Sequence, residues 1–174
     1  MKRIKRTNRI PEESIVAKDF NVIHYCDSYS VVIQTNESLD TITTEIFQTP
    51  KWTDVLMGIR NTVVKLAGLQ TGGKKMNTHI SDHYPVGSRA VYFKVIDRNE
   101  HEIVMAENDK HLNFKVSVMI SRKGNNRTVH LTTLVKYNNF LGRLYFFPVK
   151  PFHRLIIRSL LRRLLRKKYV INQK

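Results

Sequence analysis

Residues 112–137 read LNFKVSVMISRKGNNRTVHLTTLVKY, and the fold is decided here. Leu112, Phe114, Val116, Val118 and Ile120 alternate with Asn113, Lys115, Ser117, Met119 and Ser121, the period of a strand with one buried side. Lys123-Gly124-Asn125-Asn126 supplies residues that tolerate a tight hairpin turn. Val129, Leu131, Thr133, Val135 and Tyr137 then share one side of a second strand. Upstream, Arg89–Asp97 and Glu102–Glu107 read as two more strands around an Arg98–His101 turn. Connections this short predict an antiparallel meander.

Downstream, Phe140–Tyr169 reads as helical, with Pro148 and Pro151 expected to kink or break it. Beyond Pro151, Phe152, Ile156, Leu160 and Leu164 form one i, i+4 row. Ile157, Leu161 and Leu165 form the next, and Arg154, Arg158, Arg162 and Arg166 run along the back. The arginines are expected to face solvent while the apolar rows pack on the sheet, because burying an unpaired guanidinium is prohibitive. Upstream of the meander a strand within Val22–Gln34 would place Tyr25, Asp27, Tyr29, Val31 and Ile33 on one side. Leu39–Phe47 and Pro50–Leu69 are predicted helices, the second burying Trp52, Val55, Leu56, Ile59, Val63 and Leu66. Gln70–Gly87 is predicted as a long loop at a pocket rim.

The predicted class is α+β: a curved antiparallel sheet gripping a long C-terminal amphipathic helix, with helices between the first and second strands. A chain of 174 residues suits one domain. The expected layout is a basic tail over 1–20, a single domain over 21–169 and a C-terminal tail over 170–174.

The net charge is +16, and residues 110–174 carry 16 Lys and Arg with no acid after Asp109. Such a field attracts anionic partners. No zinc finger, RNA-recognition signature or helix-turn-helix spacing is present, so no sequence-specific nucleic-acid binding is expected. An anionic membrane surface or an acidic protein is the partner class for Arg154, Arg158, Arg162 and Arg166. One cysteine, Cys26, excludes a disulfide framework, and no apolar run reaches the length of a membrane span. The basic N-terminus has no apolar stretch behind it, so a cytoplasmic setting is expected.

Segments KWTDVLMGIRN, ENDKHLNFKVSV and TLVKYNNFLGRLYFFPVKPFHRLI, with the basic helix that follows, resemble the bacterial family called domain of unknown function 2867, over roughly Tyr25–Arg163. Its element order is similar to the helix-grip superfamily of START lipid carriers and polyketide cyclases. That resemblance implies a ligand cavity between sheet and helix and names no ligand.

Asp109 and His111 would share one side of a strand, an arrangement that can orient an imidazole for proton transfer, although that side would face away from the helix. His79 and His83 stand four apart around Asp82, but neighbouring Gly and Pro argue against the helix a metal site would need. No metal and no cofactor are expected. Tyr84, Tyr92, Tyr137, Tyr145 and His153 are the candidate pocket-lining groups, offering apolar area with a polar tip. The expected function is noncatalytic binding of an apolar or lipid-like small molecule. A cyclase- or hydro-lyase-like enzyme in the same cavity is the alternative, and a basic helix docking on a membrane or acidic partner is a second.

Overall fold

The structure is a computed structural model, and it describes residues 4–48, 80–123 and 126–171. The predicted helix over 50–69 and the first part of the predicted loop, His79 included, lie outside the described residues.

The elements run β1 (Lys5–Thr7), β2 (Tyr25–Ile33), α1 (Leu39–Phe47), β3 (Arg89–Ala90), β4 (Phe93–Arg98), β5 (Glu102–Asn108), β6 (Leu112–Lys123), β7 (Asn126–Tyr137) and α2 (Phe140–Ile171). The strands form one seven-stranded sheet in the order β1-β2-β7-β6-β5-β4-β3, every pair antiparallel. β6 and β7 pair over their full lengths, from Leu112↔Tyr137 to Lys123↔Asn126. β2 closes the meander by pairing with β7, from Tyr25↔Val135 to Ile33↔Arg127.

The alternating residues do what their period requires. Tyr29, Val31 and Ile33 of β2, Val116, Val118 and Ile120 of β6, and Val129 and Leu131 of β7 join one buried cluster. Ile156, Ile157, Leu160, Leu161 and Leu164 of α2 complete it, with Ile42 and Ile46 of α1. Each large aliphatic side chain buried there stabilises the fold by roughly 1.5–3 kcal/mol. This is an α+β arrangement, an antiparallel sheet packed against a long C-terminal helix.

Four expectations need correction. Pro148 and Pro151 do not end the helix, which runs through both as one element. Pro151 is exposed and Pro148 half-buried, so water can take up carbonyls that the missing N–H groups leave free. Second, the strand expected over Arg89–Asp97 is split into β3 and β4. Val91 between them adopts φ 56°, a left-handed conformation that a β-branched side chain resists.

Third, residues 4–20 are part of the fold rather than a tail. β1 pairs with β2, and the segment after it crosses the sheet's outer face. There Val16 is fully buried against Val104 and Leu134, with Ile10, Ile15, Phe20 and Cys26 around it. Glu102, wholly buried, holds this segment down: its side chain accepts hydrogen bonds from the Ser14 hydroxyl (2.6 Å), the Ile15 N–H (2.7 Å) and the Ser117 hydroxyl. Lys115 donates to the Lys18 carbonyl and lies over the Phe20 ring. Fourth, Phe152 does not pack on the sheet but is exposed, and Arg154 is half-buried rather than solvent-facing. Phe152 lies at the flank of the helix, whereas Arg154 turns toward the buried polar groups of β2.

Candidate functional site

Asp27 lies midway along β2 on the side that faces α2, between Tyr25 and Tyr29 in the inward register. It is fully buried, and its direct partner on β7 is Thr133, also buried. A carboxylate is not stable there without partners. Tyr25 donates its hydroxyl to Asp27 Oδ2 at 2.6 Å. From α2, His153 brings Nε2 to 3.4 Å from Asp27 Oδ1, an ion-pair distance without hydrogen-bond alignment. The Tyr25 ring meets Phe146 edge-on at 4.9 Å and His153 at 6.3 Å, and the Lys150 ammonium sits 5.0 Å from its centroid. The Arg6 guanidinium of β1 lies 5.9 Å from the Tyr29 ring centroid.

The electrostatics follow from this crowding. Burial pushes the Asp27 carboxyl up, but His153, the Tyr25 hydroxyl and Arg6 together outweigh it and hold the group below the ordinary carboxylate range. Burial and the hydrogen bond to Asp27 push the Tyr25 phenol up to about 12. Tyr29 is raised by burial and by the charge of Asp27, with Arg6, Arg158 and Arg154 opposing. Five polar atoms of this cluster are buried without a hydrogen-bond partner among the described residues: Asp27 Oδ1, Tyr29 OH, Thr133 Oγ1, His153 Nε2 and Arg154 Nε.

Tyr25 gives a test in alkali. A phenol whose pKa rises from 10.0 unfolded to about 12 folded contributes stability that is fully present below pH 10. That contribution is lost as the pH climbs through the folded value. Urea midpoints measured across this window should fall in the wild type, and Tyr25→Phe should flatten the decline. Equal slopes in the two proteins would show that Tyr25 does not titrate as its surroundings require.

The other expected site residues disperse. Tyr84 is fully buried at the other end of the sheet's inner face, its hydroxyl 2.6 Å from Thr44 Oγ1 and its N–H bonded to Asp40. Asp40 in turn pairs with Arg98 at 3.0 Å, and His83 adjoins them, so this knot ties α1 to β4. Tyr92 is core, edge-on to Phe93. Tyr137 stacks on His24 at 4.9 Å and, with Tyr145, flanks the small cluster of Tyr25, Leu112, Val135 and Phe146. Of the five, His153 reaches the Asp27 carboxylate.

Asp109 and His111 do not lie on a strand. β5 ends at Asn108 and β6 begins at Leu112, so both sit in the turn, where strand alternation does not apply. The Asp109 side chain accepts the Lys110 N–H, and His111 Nδ1 faces the Asn139 amide at 3.3 Å. Arg158, Arg162 and Arg166 are exposed, as expected. Among the described residues no three His, Cys, Asp or Glu side chains gather as metal ligands.

Residues 20–160 match the family described as "Protein of unknown function (DUF2867)". The chain belongs to the DUF2867 family. Among solved structures it is similar to CalU16 from Micromonospora echinospora, at 8% identity and a TM-score of 0.31, with 97% of this chain and 92% of that chain covered. No curated protein matches it in sequence. In this DUF2867 chain the site residues that sequence reading missed are Asp27, Tyr25, Tyr29 and Thr133, and Arg154, expected on the solvent-facing basic strip, joins them. The signal was present: Asp27 and Thr133 are polar residues in registers otherwise filled by Tyr29, Val31 and Ile33, and by Leu131 and Val135.

Proposed function

We propose that this chain binds a small molecule between its sheet and α2, with the molecule's polar end at Asp27 and its apolar part along Tyr25, Leu112, Val135 and Phe146. The observation that carries the reading is the group of three buried polar atoms without a partner among the described residues, Tyr29 OH, Thr133 Oγ1 and Arg154 Nε, beside the poorly aligned pair of Asp27 Oδ1 and His153 Nε2. A buried donor or acceptor without a partner costs roughly 1–3 kcal/mol. Three together cost roughly 3–9 kcal/mol, a large share of the ~5–15 kcal/mol that holds a domain folded. A bound molecule removes that penalty. Tyr29 and Thr133 hydroxyls and Arg154 Nε–H offer donors, and Asp27 Oδ1 offers an acceptor. The matching head therefore carries carbonyl or carboxyl oxygens beside a hydroxyl or amine. This supports an apolar or lipid-like ligand with a polar head, in a noncatalytic domain. No described helix is long and apolar enough to cross a membrane, and a cytoplasmic setting agrees with this reading.

Native mass spectrometry of the purified chain tests it. The wild type should carry an extra mass, extractable into organic solvent, that the double variant Tyr29→Phe/Thr133→Val loses while keeping its circular dichroism. A wild-type spectrum with no extra mass, together with a crystal structure in which ordered waters satisfy Tyr29 OH, Thr133 Oγ1 and Arg154 Nε, would overturn the reading.

The contact between Asp27 and His153 supports one alternative, an enzyme of cyclase or hydro-lyase type with His153 as acid or base and Asp27 as the group that orients it. That version requires the extracted molecule to differ chemically between wild type and His153→Gln. The same molecule from both leaves binding alone.

A further inference from the structure

α2 presents a second apolar surface, on the side opposite its core contacts. Phe140 is 75% exposed, Leu144 54%, Phe147 80% and Leu155 59%. Their spacing of i, i+4, i+7 and i+15 puts all four on one line of the helix, about 22 Å long at 1.5 Å per residue. The same helix buries Phe146, Ile156, Ile157, Leu160, Leu161 and Leu164 on its other side, so the outward residues are not needed for the core. Single exposed apolar residues are ordinary, but four on one line form a patch.

Past Leu155 the line changes character. Arg158 and Arg162 continue it, Arg166 follows close by, and all three are exposed. None has an ion-pair partner among the described residues, and no acid stands in the sequence after Asp109. One helix face thus passes from apolar to cationic along its length.

We infer that this face docks on an anionic phospholipid surface, with Phe140, Leu144 and Phe147 entering the headgroup–acyl boundary and Arg158, Arg162 and Arg166 against lipid phosphates. Charge decides the occupant. Two copies of a +16 chain repel, whereas anionic lipid attracts the arginines and its interior takes the phenyl rings. Because the core and the membrane use opposite sides of α2, docking needs no unfolding of the grip.

Vesicle co-sedimentation of the full chain tests this, with pure phosphatidylcholine vesicles against vesicles containing phosphatidylglycerol. The wild type should bind only the anionic vesicles and weaken as the Debye length shrinks from ~30 Å at 0.01 M salt to ~8 Å at 0.15 M. Phe140→Ser/Phe147→Ser should reduce partitioning by at least about tenfold, since each phenyl loses an apolar environment. Arg158→Glu/Arg162→Glu/Arg166→Glu should abolish the preference for anionic lipid. All these positions are exposed, so circular dichroism should be unchanged. No binding at low salt, equal binding to neutral vesicles, or binding indifferent to Phe140→Ser/Phe147→Ser overturns the proposal. So does a dimer in sedimentation velocity that the phenylalanine variant dissolves, because the patch would then cover a second copy.

Discussion

Glu102→Ala should lower stability by about 3–5 kcal/mol, although the residue lies far from α2. Glu102 is wholly buried, and the substitution strands two hydroxyls and a backbone N–H that now donate to it. Each stranded donor costs roughly 1–3 kcal/mol, partly offset because a buried acid is removed. The segment that Glu102 fastens also supplies Val16 to the outer-face cluster, so its release exposes Val104 and Leu134. Urea unfolding followed by circular dichroism should report the loss as a lower midpoint. Ser14→Ala, which removes one of the three donors, should cost about 1 kcal/mol. If Glu102→Ala falls no further than Ser14→Ala, the carboxyl does not hold the segment.

Gly142→Ala opposes two expectations. Helix propensity alone favours alanine by about 1 kcal/mol. Yet a Cβ at position 142 would lie 1.9 Å from the His111 carbonyl oxygen and 2.8 Å from its carbon. Both are backbone atoms of the β5–β6 turn, so no side chain can swing aside. The same carbonyl accepts the Asn138 N–H at 2.9 Å, and Asn139 Oδ1 accepts the Gly142 N–H at 3.0 Å, which fixes the start of α2 against the turn. Alanine therefore forces the helix start away, and the expected net loss is about 2–3 kcal/mol, the upper range for overpacking. Thermal unfolding distinguishes the cases by sign: a higher midpoint would mean that propensity wins and the close approach is absent.

The parts of the fold set by local alternation were legible. β6 and β7 followed from their period, and their inward sides were read correctly because each is a run of residues facing one layer, whereas β2 has no clean apolar side before Val31 and its inward side stayed open. The buried cluster was harder, since it needs the pairing of Tyr25 with Val135, partners more than a hundred residues apart. Without that pairing, nothing sets Asp27 opposite Thr133 or beneath His153. Arg154 and Phe152 were misplaced for a related reason. Rows drawn by i, i+4 spacing give a helix its faces, but the buried carboxylate decides which arginine turns inward. The Asp109–His111 reading extended strand alternation into a turn. Residues 4–20 were misread because their apolar anchors are sparse and their tether, Glu102, stands over eighty residues away.

The two ends of the sheet bear on how this protein behaves in company. An open sheet normally leaves a free rim of backbone N–H and C=O groups on its first and last strands, a template for addition of strands from other chains. Among the described residues the rims are strands of three and two residues, carrying Lys5 and Arg6 at one end and Arg89 at the other. The long strands β2, β7, β6 and β5 are all interior. β1 covers β2 only along Ser28–Ser30 and β3 covers β4 only at Phe93 and Lys94, so these short cationic strands interrupt each rim and place a repelling charge where a neighbouring strand would have to add.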